Sequence, residues 1–426
     1  MARFGNSIRL LGDAEFASLA GTAFARSQAY STVLIALALY ADLFDTTGTV
    51  EGLFGTAFAV VQLVVVLPLG RAVDTGNAKR YLLVGFLINV AVFVGFALVE
   101  SPTHVILVRM LQGLGASVLW ITGATIIGEV SPDESQGLWL GSYNQFASVS
   151  SLTGDLLGGY LLYAYGFTET YAVLSVITLG SFALVYRFLR DNPGGRTDPD
   201  AAGGLETFRS LVALPMVRSL VVFRVTFSVG KMAVIIFLPI YARTTFDISA
   251  FAIGWIMAGG KATKAVTQGF VGDLTDRYGW RHGFVGLGAA LYGVGTAAIP
   301  LAAVAEGTID PVTVSYLGDS QTLGGAFFAL FAAYSLLGIA DSIRLPASMS
   351  LFVDEGERHE AVASAMSLRS ISWKVGQVVG PVLVGATMDV TSTEAGFLLA
   401  AGFIAFSTTL FAVQARRAAA RSRAVT

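Results

Sequence analysis

The stretch GDLTDRYGWR at residues 272–281 is a short charged turn, bounded by glycines, between two long apolar segments. A degraded copy, GRAVDTGNAKR at residues 70–80, also lies between apolar segments about 200 residues earlier. The same turn at the same place in each half indicates a duplicated chain. Because both copies join long apolar segments, the duplicate is expected to be a bundle of membrane helices.

The composition supports a membrane location. Hydrophobic residues make up 54% of the chain and charged residues only 13%, whereas a soluble protein carries about 25% charged residues. A helix needs about 20 residues to cross the hydrocarbon core. The sequence predicts an all-α polytopic membrane protein with twelve spans, at residues 17–41, 52–71, 80–99, 104–127, 138–163, 169–189, 217–241, 250–270, 283–304, 325–350, 362–387 and 394–414.

The charge distribution predicts the orientation of these spans. Lys and Arg concentrate on alternate loops, whereas the opposite loops carry Arg243 together with acids such as Asp45 and Glu51. The positive-inside rule therefore predicts that both termini are cytoplasmic, which an even number of spans satisfies. No cleavable signal sequence is evident at the N-terminus. We expect a multi-pass protein of the cell membrane.

The two copies of the turn divide the chain into parallel repeats. Asp74 corresponds to Asp276 at an offset of 202 residues, and Gly154 corresponds to Gly380 at an offset of 226. A segment that contains Asn-Pro-Gly-Gly and lacks an apolar run separates the halves. The predicted organisation is a cytoplasmic N-terminus, a six-helix bundle, a cytoplasmic linker, a second six-helix bundle and a cytoplasmic tail, at residues 1–16, 17–189, 190–216, 217–414 and 415–426.

The chain resembles the major facilitator superfamily over nearly its whole length. The loop signature G-x-L-x-D-R-x-G-x-R/K is matched by Gly272, Leu274, Asp276, Arg277, Gly279 and Arg281. The first copy keeps Gly70, Asp74 and Lys79, with Thr75 and Asn77 breaking the pattern. The resemblance implies that Asp74 and Asp276 latch the two halves together in one conformation. An Asp there can face the positive end of a helix dipole, and Gly279 allows the tight turn. The alternative is a solvated basic loop.

Two further signatures support the resemblance. The fourth span matches R-x-x-Q-G-x-G-A at Arg109, Gln112, Gly113, Gly115 and Ala116. The fifth span keeps the helix-packing glycines Gly154, Gly158 and Gly159 of G-x-x-x-G-P-x-x-G-G, but Asp155 replaces the proline. The fuller form lies in the eleventh span, at Gly376, Gly380, Pro381 and Gly385. The resemblance implies a role in proton coupling for Arg109.

Four of the five lysines lie inside predicted spans, at Lys231, Lys261, Lys264 and Lys374. A charge inside the bilayer requires a partner or a watery cavity, and transporter sites lie near the midplane. These lysines are candidates for binding an anionic substrate or for releasing a proton when substrate binds. Asp341 could neutralise Arg344 or pair with Arg369. The alternative is that the lysines snorkel or form internal ion pairs.

A second charged group lies in the first half. Arg109 and Asp155 are predicted at similar depth on adjacent helices, where they could form a proton-coupling pair or a static buried ion pair. Arg26 and Gln62 are candidates for lining the substrate cavity, with a membrane-end anchor as the alternative for Arg26. We expect Trp120, Trp255 and Trp373 to serve in packing or at the membrane interface.

These features predict a secondary transporter of alternating access. No Walker sequence, metal-ligand spacing or nucleophile–base arrangement is visible, so we expect no enzyme activity, no cofactor, no metal and no nucleic-acid partner. The expected cargo is a small anionic or amphipathic solute moved with protons by a monomer in the lipid bilayer. Two alternatives remain open, a multidrug efflux antiporter and a membrane sensor that keeps the fold without transporting.

Overall fold

The computed structural model describes residues 7–191, 205–316, 319–359 and 361–423. Within these residues all twelve predicted spans form long helices, which confirms the predicted fold class. We label them α1 to α12: Ala14–Leu43, Gly48–Thr75, Ala78–Ala97, Pro102–Val130, Gln136–Ala164, Gly166–Phe188, Pro215–Phe246, Ala250–Tyr278, Arg281–Ala298, Gly325–Arg358, Val362–Val390 and Thr393–Arg423. A one-turn extension, Leu301–Glu306, follows α9.

Seven of the described helices are long and apolar enough, by length and hydropathy alone, to cross a membrane: α2, α3, α4, α6, α7, α10 and α12. Polar residues reduce the hydropathy of other long helices. In particular, α8 contains Lys261 and Lys264, and α11 contains Arg369 and Lys374. Buried cations do not exclude a helix from this set, because α4, α7 and α10 carry the buried Arg109, Arg224 and Arg344.

The short elements that were not predicted include a 3₁₀ turn at Asp133–Ser135. A helix at Leu205–Ala213 occupies the end of the predicted linker, where Leu211 is buried against Val217 and Leu368. An antiparallel hairpin of β1 (Val312–Tyr316) and β2 (Asp319–Leu323) lies between the ninth and tenth predicted spans. Alternating Val and Thr residues in β1 favour a strand, but this signal is short beside the neighbouring apolar spans.

The chain forms two compact units. Unit 1 comprises residues 1–44, 57–201 and 249–254, and unit 2 comprises residues 45–56, 202–248 and 255–426. An aromatic core in unit 1 includes Phe16 and Trp139, whose ring centres are 5.2 Å apart. In unit 2, Phe227 of α7 packs edge to face on Tyr292 of α9 at 5.2 Å.

A seam of glycines brings the start of α2 against the end of α11 within unit 2. A Cβ atom on Gly52 would lie 2.5 Å from the carbonyl oxygen of Pro381, and one on Gly48 would lie 2.7 Å from that of Gly385. Thr56 Oγ1 donates a hydrogen bond of 2.7 Å to the Val378 carbonyl. Only glycine permits such close backbone approach.

Unit 1 contains the repeat image of this seam, between α5 and the start of α8. A Cβ atom on Gly159 would lie 2.6 Å from the Ala250 carbonyl oxygen, and one on Gly254 would collide with the Asp155 carbonyl. The offsets of 202 and 226 residues carry Gly52 and Pro381 onto Gly254 and Asp155. The parallel repeat read from the sequence therefore extends to individual backbone contacts.

One charged contact distinguishes the two seams. The carboxylate of Asp389, at the end of α11, accepts hydrogen bonds from the backbone N–H groups of Gly48 (2.5 Å) and Thr49 (2.9 Å) and from Thr49 Oγ1 (2.5 Å). A carboxylate is stabilised at a helix N-terminus by the unpaired N–H groups and the helix dipole. The repeat-equivalent position is Tyr163, so the unit 1 seam has no carboxylate at this position.

We predict that Gly52→Leu separates the start of α2 from α11, because its side chain would occupy the space of the Pro381 backbone. Spin labels at Val50 and Val390 should report a distance several ångström longer and more broadly distributed than in the parent chain. Gly402→Leu is the control, since a Cβ atom there meets nothing within 4 Å. Identical distances in the parent and Gly52→Leu chains would contradict the seam.

Candidate functional site

The candidate site of unit 2 is centred on one buried carboxylate. Asp341 of α10 is only 6% exposed and forms an ion pair with Lys231 of α7. Its Oδ1 accepts a hydrogen bond of 2.9 Å from Arg344 Nη2, and its Oδ2 lies 3.7 Å from Lys264 Nζ of α8. These four residues are called the Asp341 cluster. Three cations surround one carboxylate, so the cluster has excess positive charge.

Aromatic rings line the Asp341 cluster. Lys231 Nζ lies 5.1 Å from the ring centre of Tyr292 and 5.7 Å from that of Trp373. The guanidinium carbon of Arg344 lies 4.0 Å from the ring centre of Phe227. Ring faces are electron-rich and attract cations, most strongly where water is excluded. They therefore stabilise positive charge that Asp341 alone does not balance.

Two more arginines adjoin this region. Arg224 of α7 donates from Nε to the Arg369 carbonyl at 2.7 Å, and its guanidinium carbon lies 5.1 Å from the Trp373 ring centre. One turn along α7, Ser228 donates to the Trp373 carbonyl at 2.7 Å. Arg224, Ser228 and Lys231 therefore lie on one face of α7, where it meets α10 and α11.

Close helix packing supports this face. A Cβ atom on Gly376 would lie 2.5 Å from the Val225 carbonyl oxygen, and one on Gly380 would collide with that of Val229. The glycines of the eleventh span, together with Pro381 in the neighbouring seam, hold α11 close to its neighbours. Lys261 and Lys374 are half-buried on α8 and α11.

The structure changes the expected partners of Asp341. The sequence offered Arg344 or Arg369, and the structure has Arg344 together with Lys231 and Lys264. Lys231 is therefore engaged by an internal carboxylate and is not an open anion-binding group in this state. The contact was missed because it depends on how α7 crosses α10, which helix periodicity does not report.

Unit 1 also contains a buried cation. Arg109 of α4 is 1% exposed. Its Nη1 donates to Gln112 Oε1 at 2.5 Å, and its guanidinium carbon lies 4.5 Å from the Phe58 ring centre. Asp155 of α5 is completely buried, so both members of the predicted coupling pair are sequestered. Whether they pair remains a prediction.

The unit 1 residues that the sequence suggested for helix packing or for lining the substrate cavity have different surroundings in the structure. A Cβ atom on Gly113 would lie 2.5 Å from the Phe58 carbonyl oxygen, and one on Gly154 would lie 2.8 Å from that of Gln28. On Gly158 it would collide with Thr32. Gln62 is half-buried on α2. The guanidinium carbon of Arg26, on α1, lies 4.1 Å from the ring centre of Trp120.

The first gating turn has its own local contacts. Asn77, in place of the motif glycine, caps α3 by accepting from the Arg80 N–H at 3.2 Å. Lys79 donates to the Leu189 carbonyl at 2.6 Å, at the end of α6. Asp74 is half-buried, and a Cβ atom on Gly70 would meet nothing within 4 Å. The departures from the motif therefore give this turn a helix cap.

The second gating turn keeps the motif geometry. Gly279 has a φ of +61°, which favours glycine. Arg281, at the start of α9, forms an ion pair with Asp354 of α10. Arg277 is exposed, and open space surrounds Gly272. The side chain of Asp276 lies outside the described part of the structure.

Comparisons with known proteins agree with this architecture. Multidrug resistance protein MdtG of Dickeya zeae is 24% identical over 390 residues, covering 89% of each chain. Its Klebsiella pneumoniae counterpart is 24% identical over 94% of this chain and 93% of its own. Human solute carrier family 67 member A1 is 27% identical over 53% of this chain and 57% of its own.

Solved structures share the fold at low sequence identity. A bacterial homologue of the human lysosomal transporter Spinster, inward-facing and unoccupied, aligns with a TM-score of 0.73 and 15% identity over 94% of this chain and 96% of its own. A POT peptide transporter in complex with sulfate aligns with a TM-score of 0.72 and 15% identity over 94% of both chains. The sequence profile of the Major Facilitator Superfamily matches residues 19–230 and 220–425. The chain belongs to the Major Facilitator Superfamily and is a multi-pass membrane transporter, not an enzyme.

Proposed function

We propose that this transporter moves a small solute with an acidic group, and that the solute and a proton travel together. The observation that supports the proposal is the Asp341 cluster, where one buried carboxylate faces Lys231, Lys264 and Arg344. Unbalanced charge is costly away from water. An acidic group on the solute would supply the negative charge that the cluster lacks.

Coupling follows from exchange of partners at Lys231. In this structure Asp341 is the internal counter-ion of Lys231. The acidic group of the solute takes that place and leaves Asp341 with fewer cations around it. A buried carboxylate that loses its cation is more stable as the neutral acid, so Asp341 takes up a proton. The added anion and the added proton cancel, and the loaded protein crosses the membrane field without extra net charge.

Arg109 and Asp155 are proposed as a second proton-coupling pair in unit 1. Both are buried, and the Asp155 carbonyl lies in the glycine seam with Gly254. Protonation of Asp155 would therefore act beside a contact between helices. Asp74 and Asp276 are proposed as the latch residues on the side predicted to be cytoplasmic, with Gly70, Lys79, Gly272, Arg277, Gly279 and Arg281 shaping the two turns.

Multidrug efflux is the second candidate function, and similarity to the MdtG proteins favours it. In that mechanism a cationic or neutral compound replaces Lys231 as the partner of Asp341. Lys231 then releases its proton, because burial without a counter-ion disfavours the ammonium form. Proton and compound would occupy the site in turn, so transport would be an exchange. The two functions require opposite pH gradients.

We predict that proteoliposomes with an acidic exterior accumulate 2-naphthalenesulfonate, because the anion enters with protons. Fluorescence of the extracted vesicle contents measures the uptake, and vesicles without protein are the control. Accumulation of ethidium by vesicles with an acidic interior, without uptake of the sulfonate, would instead support efflux by exchange. Absence of flux for a broad panel of acids and cationic drugs would leave the non-transporting sensor.

We predict that Asp341→Asn binds 2-naphthalenesulfonate but no longer accumulates it in response to a pH gradient, because the amide cannot take up the proton. Lys231→Met should weaken binding about 10- to 100-fold, since a buried charge-assisted hydrogen bond contributes about 1.5–3 kcal/mol. Calorimetry and vesicle uptake measure the two effects. Glu357→Gln is the matched control, because Glu357 lies on the same helix but is exposed. Normal accumulation by Asp341→Asn would contradict the coupling role.

A further inference from the structure

Three arginines of unit 2 have buried N–H groups without a hydrogen-bond partner among the described residues. They are Arg224 of α7, Arg344 of α10 and Arg369 of α11, called the arginine triad. The groups concerned are Nη1 of Arg224, Nε and Nη1 of Arg344, and Nε of Arg369. Arg224 is 6% exposed and Arg344 only 1%. Buried polar atoms in native proteins almost always have a partner, so these donors require an explanation.

The members of the triad lie close to one another. Arg224 Nε donates to the carbonyl oxygen of Arg369 at 2.7 Å, and the charges of Arg344 and Arg369 both act on Arg224. Arg344 also acts on Arg369. Asp341 is a nearby carboxylate, but it already pairs with Arg344. Like charges at this distance repel one another, so negative charge placed between the three arginines would stabilise them.

Aromatic rings contact two of the arginines but cannot satisfy these donors. The guanidinium carbon of Arg224 lies 5.1 Å from the ring centre of Trp373, and that of Arg344 lies 4.0 Å from the ring centre of Phe227. A ring face attracts a cation but provides no oxygen or nitrogen acceptor for its N–H groups. The rings therefore hold the arginines in place and leave the donors for another group.

The triad adjoins the Asp341 cluster on the side predicted to be cytoplasmic. Arg224 and Arg369 follow the starts of α7 and α11 by nine and seven residues, and both helices are predicted to start at the cytoplasmic side. Lys231 lies seven residues further along α7, about 10 Å deeper. Arg344 belongs to both groups. A ligand from the cytoplasm would therefore meet the triad before Lys231.

We propose that the arginine triad is a binding site for a phosphoryl group, as in phosphate or a phosphate monoester. A phosphoryl group carries about −1.5 to −2 charge at neutral pH and three strong acceptor oxygens. Guanidinium groups match such oxygens with paired N–H donors. A carboxylate has one charge and two oxygens, so it would satisfy fewer donors and relieve less repulsion. Water would satisfy the donors without relieving the repulsion.

This site goes beyond the proposed exchange of partners at Lys231 and does not require that the phosphoryl compound be transported. Loss of phosphoryl binding would leave the coupling role of Asp341 standing. Failure of sulfonate uptake would likewise leave the triad standing, because the two are measured with different compounds. The two ideas therefore fail separately.

Calorimetry with the purified full-length chain tests the site with methyl phosphate, methanesulfonate and acetate. Methanesulfonate has three oxygens and one charge, and acetate has two oxygens and one charge. Methyl phosphate should therefore bind most tightly and acetate most weakly. Equal affinity for the three anions, or absence of methyl phosphate binding, would overturn the proposal.

Arg369→Gln should weaken methyl phosphate binding about 10- to 100-fold, because a charge-assisted hydrogen bond is lost. The variant is expected to fold, since it removes a repelling charge. Arg369→Lys keeps the charge without the planar fork and should weaken binding less. Arg218→Gln is the matched control, because Arg218 is an exposed arginine near the start of α7. Unchanged affinity in Arg369→Gln would overturn the site.

Thermal unfolding distinguishes a ligand site from a purely structural cluster. Methyl phosphate should raise the unfolding temperature of the parent chain and of Arg218→Gln, because a ligand that binds the folded state stabilises it. The increase should be much smaller in Arg369→Gln at the same concentration. An equal increase in all three chains would show that the anion acts elsewhere, and the site would be rejected.

A lipid with the same head group identifies the source of the phosphoryl group. Dihexanoyl phosphatidic acid, a soluble short-chain lipid, should bind no more tightly than methyl phosphate if the site takes a free anion. Binding at least tenfold tighter, weakened by Arg369→Gln, would support the phosphoryl site and assign it to a lipid head group. Binding of the lipid that Arg369→Gln leaves unchanged would contradict the site.

Discussion

The need to balance buried charge is the constraint on which the rest of this structure depends. Asp341 can remain charged inside unit 2 because Lys231, Arg344 and Lys264 surround it. Those cations in turn lie near aromatic rings as well as the single carboxylate. A neutral, fully paired cluster would have no reason to bind an ion. The surplus of positive charge makes the site responsive to an incoming acid and to a proton.

Unit 1 also places buried cations against aromatic rings. Arg109 lies against Phe58 and donates to a neutral amide, and Arg26 lies against Trp120. Cation–ring contacts stabilise the charge of these arginines where water is excluded. The excess positive charge of the Asp341 cluster in unit 2 is the basis for assigning an acidic cargo.

Much of the architecture could be predicted from the sequence, because span length and apolar content follow from the thickness of the bilayer. The repeat offsets read from Asp74 and Gly154 also reproduce the two glycine seams. The pairing of Lys231 with Asp341 could not be predicted, since the residues are 110 positions apart and their contact depends on helix crossing. The Asp389 cap was missed for the same reason. Helix periodicity indicates the depth of a residue in the membrane and the helix face on which it lies. Tertiary packing determines which side chains contact it.

The central claim is that Asp341 alternates between serving as counter-ion to Lys231 and carrying a proton. Infrared difference spectroscopy of the reconstituted protein tests it most directly, because a protonated carboxyl group has a C=O stretching band distinct from that of a carboxylate. Adding 2-naphthalenesulfonate should produce this band in the parent chain and in Glu357→Gln, but not in Asp341→Asn. Binding of the sulfonate without a new band in the parent chain would contradict the account.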